Sequence, residues 1–212
     1  MNETWDAFFG NTKVLRVSAV LALLGALYFG IQTMVTGAVG LGLAAIVVAL
    51  LNVMGLSAYQ IHEKRVMQLC MGAVLAALIQ LLAIVAFPKT GVELIGSIRT
   101  INIIGFVLIF CFFLNNLALA STHHTSKGRI LINQFIALVL IVLYVTGIVF
   151  GLVNASFDNS ALSLGILCEV IFVCSLESKL NIYKEIRDAK TAAGEWTEEE
   201  KQKAKEEVFS DK

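Results

Sequence analysis

Residues Ile130–Val153 read ILINQFIALVLIVLYVTGIVFGLV, 24 residues without a single charge. As a helix this run is about 36 Å long, enough to cross the ~30 Å hydrocarbon core of a bilayer. It is continuously apolar rather than alternating, which favours a helix over a barrel strand. Five further stretches of the same kind flank it: Val17–Val35, Ala38–Tyr59, Val66–Phe87, Ile101–Ser121 and Ala161–Leu180. The sequence therefore predicts an all-α membrane protein with six transmembrane helices arranged as three consecutive hairpins. The only proline, Pro88, lies at the end of the third run, so no span is broken by the proline mechanism.

The whole composition agrees. Of 212 residues, 58% are apolar and 15% are charged, against about 45–50% and about 25% in soluble domains. Mean hydropathy is +0.81. These values exclude a soluble enzyme and a secreted disulfide scaffold. Sixteen basic and sixteen acidic residues leave no net field to attract a polyanion, so no nucleic-acid partner is expected. The expected surroundings are the lipid bilayer, with a homo-oligomer or a protein partner left open.

Lysine and arginine set the expected orientation. Lys13, Arg16, Lys64, Arg65, Lys127, Arg129, Lys179, Lys184 and Arg187 fall on one side, and only Lys89 and Arg99 on the other. Both termini should then be cytoplasmic, in a cell inner (plasma) membrane. The first span is too long for a signal-peptide core and is expected to be retained. The link between the first two spans, around Thr36 and Gly37, predicts a tight helical hairpin. The domain reading is a transmembrane unit over residues 1–187 and a cytoplasmic helical tail over residues 188–212.

Polar groups inside the spans are the functional candidates. Glu169 stands in LGILCEVIF, residues 164–172, and an intramembrane carboxylate is costly unless protonated, paired or hydrated. Such an acid marks a proton or cation site by default, the alternative being a protonated, hydrogen-bonded structural acid. Gln80 comes to a similar depth, and Asn102 and Arg99 lie toward the same outer side, so the four together form the predicted ion, proton or substrate site. A second polar layer, Asn52, Asn115, Asn116, Asn133 and Gln134, is expected to join helices by hydrogen bonds. Asn115 and Asn116 project about 100° apart and should meet different neighbours. Gly147 and Gly151 form a GxxxG pattern that permits close helix packing, more often within a bundle than in a dimer.

The loop containing His123, His124, Lys127 and Arg129 mixes cations and hydroxyls, and is the candidate site for an anionic headgroup or phosphate. Its plainer reading is a short turn carrying topogenic charge. Cys70, Cys111, Cys168 and Cys174 lie inside spans without paired spacing, as small hydrophobes would. No metal or cofactor is expected. No nucleophile–base–orienter set is visible, so no catalytic residue is assigned. An enzyme would need a pocket around His123, His124 and Arg129. The leading functional class is a small transport or channel-type protein. The competing class is a non-transporting accessory or scaffold subunit that docks a partner through its helices or tail.

In the tail, Thr197 and Glu200 fit a capping box, and Glu199 with Lys203 supports a helix over Glu198–Phe209. Ile186-Arg187-Asp188-Ala189-Lys190, Gly194-Glu195-Trp196-Thr197-Glu198-Glu199-Glu200, Ala204-Lys205 and Phe209 together resemble the short C-terminal SHOCT domain of bacterial proteins. That resemblance spans about residues 186–209. It departs at Lys201, where an aromatic is common, and in the sparse apolar residues of the second helix. It implies bacterial origin and self-association or partner docking, and assigns no catalytic residue.

Overall fold

The computed structural model describes residues 2–35, 37–56, 63–86, 96–120 and 127–209. Among these residues there are eight α-helices and no strand: α1 (Asn2–Phe9), α2 (Thr12–Val35), α3 (Val39–Leu56), α4 (Glu63–Ala86), α5 (Gly96–Ala120), α6 (Lys127–Val153), α7 (Phe157–Ala192) and α8 (Glu198–Phe209). Five of them, α2, α4, α5, α6 and α7, are long and apolar enough to cross a membrane. The protein is a multi-pass membrane protein. The second predicted span, α3, has a shorter apolar run, Val39–Met54.

Each helix from α2 to α7 packs on its sequence neighbour, and α7 closes the ring by packing on α2. Gly37 turns α2 into α3 with a φ of +97°, which a side-chain-bearing residue rarely adopts. α7 also packs across the ring against α4. It is consequently buried over most of its length, unlike α6, whose Leu131, Phe135, Leu138, Val142 and Val145 are exposed. Those outward apolar faces suit contact with lipid tails, while the interior is lined by alanine, glycine and small polar groups.

Small residues explain how the helices come so close. A Cβ added at Gly25 would stand 2.6 Å from the Cα of Gly165. Gly30 and Gly42 meet where α2 passes α3. Gly147 and Gly151 face Ser163 and Ser160 of α7, so the GxxxG pattern is used inside the bundle.

Two features differ from the sequence reading. The first is α1, a short N-terminal helix that composition alone did not separate from the first span. Asn11 ends it and starts α2, its Oδ1 accepting from the Lys13 amide at 2.8 Å. The second is the length of α7. Its 36 residues span about 54 Å, so the helix runs straight through the expected boundary at 187/188 and stops at Gly194, whose φ is +73°.

α1 and α8 both dock on the C-terminal half of α7. Trp5 and Phe9 of α1 stack at 4.4 Å, and Ser178 of α7 donates to Asp6 at 2.5 Å. α8 folds back so that Phe209 and Trp196 meet Tyr183, at 5.8 and 6.2 Å between ring centres. Lys179, itself buried, donates to Thr12 Oγ1 at 3.1 Å and to the Val208 carbonyl at 3.0 Å. One ammonium thereby ties the start of α2 to the end of α8. At the start of α8, Thr197 Oγ1 accepts from the Glu200 amide at 3.3 Å, Lys203 pairs with Glu199 at 3.3 Å, and Lys190 of α7 pairs with Glu200. Lys201 beside Glu198 holds that carboxyl below the usual carboxylate range.

Candidate functional site: two buried carboxyls on one helix

α7 carries Glu169 about 18 Å from its start at Phe157, deep in the bundle. The side chain is 3% exposed. Gln80 of α4, 1% exposed, donates its Nε2–H to Glu169 Oε1 at 2.6 Å. The other oxygen, Oε2, has no hydrogen-bond partner. Small side chains make this approach possible: Ala73, Ala76 and Ala77 of α4 leave room where larger residues would fill the space.

Glu169 borders two small cavities, each of about 10 Å³ and so close to the size that admits one water. One lies toward α2 and α3, beside Ala22, Ala49 and Asn52. The other lies toward α5, beside Ile109, Phe112 and Val173.

Above Glu169, toward the end of the bundle that carries Arg99, other polar atoms lack partners. Asn102 is fully buried, with neither amide atom hydrogen-bonded. One turn along α5, Gly105 leaves space that the Tyr144 hydroxyl of α6 occupies. That hydroxyl is also unpartnered, and Tyr144 lies within electrostatic reach of Glu169. Ser163 of α7 faces Gly147 of α6, its hydroxyl unpartnered too. Buried polar groups are nearly always hydrogen-bonded, so a run of open ones is a mark of function or of bound water. At the rim, Tyr28 of α2 donates to Asp158 at the start of α7.

A second cluster lies two turns along α7 on the other side of Glu169, toward the lysine- and arginine-rich end. Glu177 Oε1 accepts from Asn133 Nδ2 of α6 at 2.9 Å, and Asn116 of α5 reaches the same carboxyl. Asn133 Oδ1 in turn accepts from Asn115 Nδ2 at 2.5 Å, and Asn115 also donates to the Arg129 carbonyl at 3.0 Å. Asn116 donates to the Phe112 carbonyl of its own helix at 3.1 Å. The adjacent asparagines thus meet different neighbours, as their 100° offset requires. A cavity of about 20 Å³, enough for one water, opens between Cys70, Asn116, Asn133, Glu177, Asn181 and Lys184.

The structure brings Gln80 to Glu169. Asn102 is buried nearby on α5 without touching the carboxyl, while Arg99 stays exposed near the start of α5 and is not gathered into the site. A guanidinium at the membrane rim is solvated where it stands and would lose that hydration by turning inward. Of the predicted headgroup site, Lys127 is exposed and Arg129 half-buried, with the Arg129 carbonyl already engaged by Asn115. His123 and His124 lie outside the described residues. No group of three or more metal-ligating side chains occurs among the described residues.

Sequence reasoning missed Glu177, Tyr144 and Ser163. Glu177 sits beside Lys179 at the edge of an apolar run and reads as an interfacial charge. Its spacing of eight residues from Glu169, just over two turns further along the same helix, was the available signal. No protein-family model, curated protein or solved structure matches the chain.

Proposed function

We propose that the protein is a small transport or channel-type protein of the cell inner membrane, with six spans and both termini in the cytoplasm, in which Glu169 takes up and releases a proton. The observation that carries this reading is the state of that carboxyl. It is buried, held through Oε1 by Gln80, open at Oε2, and set between two water-sized cavities. A carboxyl kept only for structure would be expected to have both oxygens satisfied.

The chemistry asked of it is modest. A proton arriving on a water binds Oε2 and makes the side chain neutral, which removes the cost of a charge in hydrocarbon. Gln80 keeps the carboxyl aimed while the proton comes and goes. Tyr144, Ser163 and Asn102 supply open donors and acceptors along which water can approach from the far end.

The test is proton flux into proteoliposomes that contain a pH-sensitive dye and carry an imposed potassium diffusion potential. The wild-type protein should acidify the lumen faster than empty vesicles do, and Glu169→Gln should return to the empty-vesicle rate. Equal rates for wild type and Glu169→Gln would contradict the reading. Repeating the assay with sodium or potassium as the only permeant ion separates a proton from a metal cation.

A second reading has its own observation. α8 is packed in place by Ala204, Val208 and Phe209 and turns Glu198, Glu199, Glu206 and Glu207 outward. An ordered tail with an acidic outer face suits an accessory subunit docking a basic partner, as the SHOCT-like pattern would also imply. Wild-type flux equal to that of empty vesicles would favour this reading.

A further inference from the structure

We propose that Glu177 is a second protonation site, separate from Glu169 and supplied from the lysine- and arginine-rich end of the bundle. This extends the proton-transport reading to a second carboxyl, and its test does not depend on flux.

Three observations carry it. The first is placement. Glu177 follows Glu169 by eight residues, about 12 Å along α7 and turned by about 80° around its axis. Val173 lies midway, four residues from each, and packs with Ile109 and Phe112 of α5 beside Glu169. An apolar plug therefore stands between the two carboxyls. The second is access. Glu177 is half-buried where Glu169 is almost wholly enclosed, and its cavity runs past Asn181 to Lys184, toward the end of the bundle where α4 begins and α5 ends. The third is the donor set. Asn133 turns its N–H to the carboxyl and its oxygen away, to Asn115.

That donor set selects the ligand. A metal cation needs several oxygen ligands at once, whereas this cavity offers one carboxyl, the amides of Asn116, Asn133 and Asn181, of which Asn133 turns its N–H and not its oxygen inward, and the Lys184 side chain in the wall. A cavity for one water beside one carboxyl suits a proton. The proton would pass from that water to the carboxyl oxygen not held by Asn133, and return the same way.

The groups facing Glu177 are few. α4 contributes Cys70, α7 contributes Cys174 and Lys184, and α5 and α6 contribute the neutral Asn116 and Asn133 among the described residues. Asp6 of α1 is turned to Ser178.

The test is infrared titration of the full-length protein in lipid nanodiscs, following the carboxylic-acid carbonyl band in water and in heavy water. A component of the pH-dependent band that persists in Glu169→Gln and disappears from the difference spectrum when Glu177→Gln is added is the expected result, the exposed carboxyls contributing equally to both variants. A band in Glu169→Gln that is unchanged when Glu177→Gln is added would overturn the proposal and leave the Glu169 reading standing. Should Glu177→Gln fail to fold, Asn133→Leu serves instead. It keeps the carboxyl but removes the Asn133 donor, and must move the titration midpoint of the Glu177 component seen in the Glu169→Gln background. An unmoved midpoint would overturn the proposal equally.

Discussion

Replacing Gln80 with leucine removes the one hydrogen bond that holds the Glu169 carboxyl. Both side chains are at least 97% buried and the bond is 2.6 Å long, so no water replaces the lost donor without a rearrangement of the bundle. A buried acceptor left unsatisfied costs about 1–3 kcal/mol, which sets the expected loss for Gln80→Leu alone. The pairwise share is smaller. Hydrogen bonds between membrane helices average about 0.6 kcal/mol and reach about 1.7 kcal/mol, because the unfolded chain in the membrane also finds partners. The Gln80–Glu169 pair should fall at the top of that range, since Oε2 has nothing else to share the load. A double-mutant cycle with Gln80→Leu, Glu169→Leu and the pair should therefore give a coupling of about 1–1.7 kcal/mol. At 1.4 kcal/mol per tenfold, that is about a five- to twentyfold change in the unfolding equilibrium. Reversible unfolding in mixed micelles reads it directly. A coupling below about 0.3 kcal/mol would show that the two side chains do not hold each other, and would refute the geometry on which the site rests.

The close helix contacts and the tail make further predictions. Gly25→Ala should destabilise by about 1–3 kcal/mol through overpacking, and more than Gly165→Ala, because the added Cβ would meet backbone at 2.6 Å in the first case and 3.2 Å in the second. Thermal unfolding in nanodiscs checks the order, and equal or reversed losses would refute it. Lys179→Met removes donors to Thr12 and to the Val208 carbonyl, so amide exchange over α8 should speed up and proteolysis near Gly194 should appear while the long helices stay protected. Unchanged exchange in α8 would show that the ammonium does not tie the tail down.

The membrane-spanning helices were legible because bilayer thickness imposes a length that uncharged runs either meet or miss. Ile130–Val153 meets it on sight, whereas α3 shows the margin, its apolar run being shorter than its neighbours'. The depth of Gln80 and Glu169 followed from helical rise alone, and the 2.6 Å contact required only that their rotations agree. Rotation is what sequence leaves open in a span that is apolar all round. Nothing in α6 by itself says that Tyr144 turns inward, since it does so because Gly105 on another helix leaves the space. Arg99 lies toward the expected end of the bundle but is exposed at its rim. Glu177 was hidden by its place beside Lys179, where charge is ordinary. α1 depends on a contact between segments more than 160 residues apart, Ser178 with Asp6, and the inward fold of α8 on contacts across the turn, such as Lys179 with the Val208 carbonyl, which no local pattern encodes.

The central claim, that Glu169 exchanges a proton inside the bundle, is tested most directly by flux in proteoliposomes across a series at one position. Wild type should acidify the lumen, Glu169→Asp should retain part of that rate because a carboxyl remains, and Glu169→Gln should match empty vesicles. Full flux in a correctly folded Glu169→Gln variant would contradict the account, because a carboxamide cannot bind and release the proton on which it depends.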